Sequence, residues 1–101
     1  MKYNKLVRDR IPEIIKQKGE TPVIHIANDE EYWKKLKEKL REEANEFSAN
    51  EKDEELADIL EVIHAVCDFK RIDFKSLEKI RAKKNSERGG FKARIILDEA
   101  L

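Results

Sequence analysis

The sequence predicts a mainly α protein, an all-α helical bundle with a central antiparallel helix hairpin and a small two-stranded β element beside it. Three observations predict this. Apolar residues recur at three- and four-residue spacing through 29–70. Aspartates stand at the heads of the periodic stretches, as Asp29, Asp53 and Asp73, where helix caps are expected. Glycine and proline fall at the ends of those stretches, at Pro12, Gly19, Pro22 and Gly89-Gly90.

With 101 residues, the chain is expected to form a single domain spanning 1–101. The opening MKYNKLV reads as extended, followed by a short helix that starts near Asp9, carries Pro12 in its first turn and stops at Gly19. Thr21–Ala27 is β-branched and bounded by Pro22 and Asn28, which predicts a short strand. From the Asp29 cap, Trp33, Leu36, Leu40, Ala44 and Phe47 make one narrow apolar stripe. The next helix, capped by Asp53 and running to about Lys70, is apolar on most of its circumference: Leu56, Ile59, Leu60, Val62, Ile63, Val66 and Cys67. A helix of that kind is buried on more than one side, and in so short a chain another subunit can supply the second surface. A last helix starts at Asp73 or Ser76, faces Phe74, Leu77 and Ile80 inward, and ends at Gly89-Gly90. Phe91–Leu97 reads as a second strand that could pair with the first, and 98–101 as a terminal turn.

Lys+Arg and Asp+Glu number 22 each, so there is no overall basic field and a nucleic-acid polymer is not an expected partner. No signal-type segment or apolar run near 18 residues is present, so the expectation is a soluble cytoplasmic protein without a membrane partner. Cys67, the single cysteine, sits in an apolar helical run and reads as a small core residue.

Chemistry concentrates on the hairpin. Glu43 and Glu46 are an i, i+3 pair on its first helix, Glu55 and Asp58 on its second. With the turn centred near Asn50, Glu46 faces Glu55 and Glu43 faces Asp58, in two rungs about 4.5 Å apart along the axis. Four carboxylates so close repel one another, and a divalent cation removes that cost. Hard oxygen ligands suit Mg²⁺, with Mn²⁺ as the alternative, and imply metal-assisted attack of water on a phosphoanhydride. One of Glu43 and Glu46 would serve as general base; the sequence does not choose between them. A phosphate substrate also needs cations, and Lys84 and Arg88 near the end of the last helix, with Lys5 and Arg8 near the start, are the candidates. Against this, Asp9 could pair with a neighbouring arginine purely structurally, and Lys83 simply complements a helix dipole. Glu61 and His64 spell one E-x-x-H, but a di-iron bundle needs two, and both lie round the helix from Glu55. His25, on the predicted strand, has no visible partner.

The runs KLREEANEF (39–47) and EELADILEV (54–62) resemble the paired E-x-x-E and E-x-x-D motifs of the MazG-like all-α nucleoside triphosphate pyrophosphohydrolases. The blocks YNKLVRDRIPEII (3–15) and ERGGFKARIIL (87–97) are similar to a small branch of that superfamily labelled phosphoribosyl-ATP pyrophosphohydrolase-like. The resemblance spans nearly the whole chain. It implies that Glu43, Glu46, Glu55 and Asp58 are Mg²⁺ ligands, that Lys84, Asn85 and Arg88 belong to the basic segment contacting phosphate, and that the chain forms a homodimer or homotetramer. The implied activity is cleavage of a nucleotide between its α and β phosphates, releasing a monophosphate and pyrophosphate. The alternatives are phosphoribosyl-ATP as substrate, in histidine biosynthesis, and, in another class, a non-catalytic helical interaction module with salt-bridged acidic pairs.

Overall fold

Two long helices packed against each other carry the molecule. A computed structural model describes residues 2–101, and all regular structure among them is helical: α1 (Ile11–Gln17), α2 (Asp29–Asn50), α3 (Asp53–Lys70) and α4 (Phe74–Arg88). The mainly α class and the central hairpin are as the periodicity predicts. No described helix is long and apolar enough to cross a membrane.

The caps sit one residue earlier than expected at two helices. Asn28, rather than Asp29, caps α2, its side chain accepting the Glu31 amide at 2.9 Å; Asp29, Glu30 and Glu31 then load the positive end of the helix with acid. At α3 the cap position is Lys52, without a side-chain bond, and Asp53 is the first helical residue. Asp73 caps α4 as predicted, accepting from the Lys75 amide.

Neither predicted strand forms. Residues 21–27 have no ladder partner, and 91–97 opens in a turn, with Arg94 in the left-handed region at φ 60°. A β-branched run becomes a strand only when a second strand satisfies its amides, and none lies alongside among the described residues.

The hairpin is tight. Asn50 ends α2, Glu51 takes the left-handed conformation (φ 57°) and donates its amide to the Phe47 carbonyl at 2.7 Å, and α3 starts two residues later. Leu36 is 1% exposed at the centre of the α2–α3 seam, with Val62 and Cys67 buried opposite on α3. At the open end of the hairpin, Phe69 stacks on Trp33 (centroids 5.2 Å apart) and meets Tyr32 edge-on. His64 stacks on Phe74 at 4.1 Å where α3 hands over to α4, so it works as a flat packing surface.

Outside that seam little is buried. α4 does not pack along either hairpin helix and contributes no buried residue. Val23, Ile26, Phe91, Ile95, Ile96 and Leu97 are each at least 79% exposed, and Leu56, Leu60 and Ile80 about half. The accessible surface is 9590 Å², where a compact protein of this mass shows about 6,000 Å². The radius of gyration is 17.9 Å, against about 13 Å for a compact domain of this length.

Candidate metal centre

The α2 seam positions run 33, 36, 40, 43 and 47, alternating steps of three and four, so Glu43 occupies a place where an apolar side chain would normally face the partner helix. The stripe drawn through Ala44 is therefore off by one residue: Ala44 is exposed and Glu43 is buried, at 6% exposure. That spacing was the sequence signal for it. From α3, Glu55 and Asp58 project toward the same point, both partly buried.

The hairpin brings the four acidic residues together. One carboxylate oxygen from each of Glu43, Glu46, Glu55 and Asp58 lies within 4.8 Å of all the others. Glu43 Oε2 is buried without any hydrogen-bond partner. A buried carboxylate oxygen left unpaired is costly and rare. The donor set is all oxygen, close-set and over-charged, which suits a hard divalent cation better than zinc.

Several neighbours offset part of that charge. Arg8 Nη2 donates to Asp58 Oδ1 at 2.7 Å across fifty positions of sequence. Lys39 Nζ stands 3.3 Å from Glu43 Oε1 and 3.3 Å from Glu42 Oε2, while Lys5 Nζ donates to Glu42 Oε1 at 3.2 Å. Asn50 Nδ2 donates to Glu55 Oε1 at 3.1 Å. Lys39, Glu42 and Asn50 were not singled out from the sequence. Lys39 is one turn before Glu43, a spacing that could have found it.

Of the predicted phosphate-binding set, Arg8 touches the cluster directly, and Lys5 stands beside it through Glu42. Lys84, Asn85 and Arg88 do not join them. All three are exposed on α4, and Asn85 and Arg88 line a groove with Gly89-Gly90, Phe91 and Lys92. Among the described residues none of the three is bonded to a carboxylate of the hairpin. Asp9 is not the partner of its neighbours either, since Arg8 takes Asp58 and Arg10 takes Glu13. His25 does find a partner, Glu31, at 2.9 Å, beside the first turn of α2.

The electrostatics follow from the crowding. A hydrogen bond to Glu43, available only while Glu46 holds its proton, pushes the Glu46 carboxyl above the usual carboxylate range; the negative charges of Glu43, Glu55 and Glu42 add to it. Glu42 goes the other way: slight desolvation raises it, but Lys5 and Lys39 together hold it below its usual value. A raised folded-state value means that the folded chain binds more protons than the unfolded one just above the usual carboxylate range. Stability from Glu46 is therefore present below that window and is lost as pH rises through it. Melting temperatures in chelator should fall across that window for the native chain and fall less for Glu46→Gln. An unchanged profile in the variant would mean that Glu46 does not feel its neighbours.

No known protein family's sequence profile matches the chain, and no solved structure matches it. It is 57% identical over 44 residues to an uncharacterized protein of Mycolicibacterium smegmatis, a stretch that covers 44% of this chain and 45% of that relative. The match thus spans less than half the length of either protein.

Proposed function

We propose that the chain is a magnesium-dependent nucleotide pyrophosphohydrolase that splits the α–β phosphoanhydride of a nucleoside triphosphate or related nucleotide. The observation that carries this reading is the four-carboxylate cluster, held in register by the hairpin with an unpartnered oxygen on buried Glu43. The resemblance of the two acidic runs and of the flanking blocks to MazG-like enzymes supports the same chemistry.

Glu43, Glu46, Glu55 and Asp58 would hold Mg²⁺, or Mn²⁺ in its place. Bound there, the ion would supply charge neutralisation of the phosphates and a more acidic attacking water. Glu46 is the better-suited general base of the two candidates. It is more open to solvent than Glu43, so an attacking water can reach it. Arg8 and Lys5 stand where they can meet phosphate oxygens on the cluster's edge. Guanidinium is the better partner there, because its planar fork matches the anion.

The reading includes a homodimer or homotetramer. The surplus of exposed surface supports it, as does the half-exposed pair Leu56 and Leu60, one turn apart on α3 beside the acidic residues. Lys84, Asn85 and Arg88 would then serve the phosphates only where one copy brings its α4 to the cluster of another. A second reading has an observation of its own: Arg8, Lys39 and Asn50 already pair with three of the four carboxylates, as in a purely structural helical interaction module.

The deciding assay incubates purified protein and Mg²⁺ with a panel of dNTPs, NTPs and phosphoribosyl-ATP. Pyrophosphate, not orthophosphate, should appear with at least one substrate, and the best substrate separates a general nucleotide enzyme from a histidine-pathway one. A folded protein that turns over none of them belongs to the second reading.

A further inference from the structure

The N-terminal segment is tied to the hairpin by charge. Between residues 2 and 10 it has no regular structure of its own, and Asn4 sits in the left-handed region at φ 48°. Three polar links hold it: Lys35 Nζ donates to the Asn4 carbonyl at 2.8 Å, Lys5 reaches Glu42, and Arg8 reaches Asp58. Of these, the Arg8 bond alone ends on one of the four carboxylates that could hold a cation.

That bond makes the guanidinium a resident counter-ion. With Arg8 on Asp58 and Lys39 on Glu43, two cations already draw on the charge of four carboxylates, and an entering divalent ion would share it with them. The two cations differ in how firmly they are held. Lys39 is 18% exposed and shares its ammonium between Glu42 and Glu43 on its own helix. Arg8 is 57% exposed and lies outside any helix; its carbonyl accepts the Ile11 amide at 3.0 Å, but its guanidinium grips through a single contact. An ion pair this exposed is weak. A divalent cation seated on Asp58 would sit within a few ångströms of the guanidinium, carry twice its charge and compete with it for the same carboxylate.

We propose that a divalent cation entering the cluster displaces the Arg8 guanidinium from Asp58, freeing it to turn to the phosphate anion that the cation carries. This rests on the metal reading given above and adds a regulator to it: the same arginine competes with the cation before loading and assists the anion after it. Linkage makes the competition reciprocal, so removing Arg8 must tighten the cation.

The test uses the full chain labelled with ¹⁵N-arginine, MgCl₂ alone as the first probe and inorganic pyrophosphate as the second. In chelator the Arg8 Nε–Hε resonance should be shifted from that of a free arginine, and Asp58→Asn should return it to the free position without any cation. Saturating Mg²⁺ should do the same in the native chain. By calorimetry, Arg8→Ala should bind Mg²⁺ about two- to fivefold more tightly, the range expected for loss of an exposed competing pair. With Mg²⁺ present, the same variant should bind pyrophosphate on the order of tenfold more weakly, as for loss of one charge-assisted hydrogen bond. The proposal is overturned if Mg²⁺ binds while the Arg8 resonance stays put, if Arg8→Ala binds Mg²⁺ no better than the native chain, or if Arg8 is already free in chelator. Those outcomes leave the metal reading intact. A native chain that binds neither Mg²⁺ nor Mn²⁺ removes both.

Discussion

Replacing Glu43 with glutamine is expected to remove divalent-cation binding and to lower any pyrophosphate release by at least about a hundredfold, given that even outer-shell partners of metal ligands cost 10- to 100-fold. In chelator the variant should melt no lower than the native protein. Both expectations come from the same residue. Glu43 is buried in the α2–α3 seam, and its Oε2 has no partner. Its hydrogen bond with Glu46, and then its charge, do most to push Glu46 upward. Glutamine keeps the shape, removes the buried charge and ends the repulsion, at the cost of the Lys39 contact, and Lys39 still has Glu42 at 3.3 Å. The measurement is a pair of melting curves, in chelator and in Mg²⁺, alongside the turnover assay. The native chain should gain stability from Mg²⁺ as any ligand-binding fold does, and the variant should gain none. Full turnover, or an undiminished rise in melting temperature with Mg²⁺, would sink the metal assignment.

Leu56→Glu combined with Leu60→Glu is expected to convert the protein to a monomer of clearly lower thermal stability. The native chain carries 9590 Å² of accessible surface, some 3,500 Å² beyond what its mass calls for, by the usual scaling. Removing even half of that surplus from each of two copies buries about the area of an obligate homodimer interface. Leu56 and Leu60 stand together on one side of α3, 49% and 48% exposed, in a helix that is apolar on most of its circumference. Two glutamates there would face each other across any shared seam. Light scattering should give a dimer or larger for the native chain, and its melting temperature should rise with protein concentration, which the double variant should not show. A native chain that is monomeric at all concentrations would overturn the oligomer proposal while leaving the carboxylate cluster untouched.

The hairpin and its acid register were legible because both depend on local rules. Helical period fixes which side chains share a face, and a two-residue turn leaves no slack, so Glu46 opposite Glu55 and Glu43 opposite Asp58 followed from counting. The caps were legible to within one residue, since Asn28 and Asp29 are both good capping types and only the backbone decides between them. What failed was non-local. The β-branched runs 21–27 and 91–97 carry strand propensity, but propensity does not create a neighbouring strand, and Arg94 turns the second run out of register before it starts. Lys84, Asn85 and Arg88 have a suitable chemistry at a suitable spacing, yet α4 leaves the hairpin at the His64–Phe74 corner and does not return along it. The Arg8–Asp58 bond spans fifty positions, and nothing periodic connects its ends.

The link between the two acidic pairs has a consequence for how such a chain can vary. From Ser48 to Glu54 every residue is exposed and none enters the core, so apart from Asn50, which bonds Glu55, and left-handed Glu51, the side chains there are little constrained. The number of residues is another matter. One residue more or fewer within a helical stretch turns everything beyond it by about 100° and slides it about 1.5 Å, enough to swing Glu55 and Asp58 away from their partners. The helical ends of the link are strict about length, and they work as a gauge block between two halves of one ligand set.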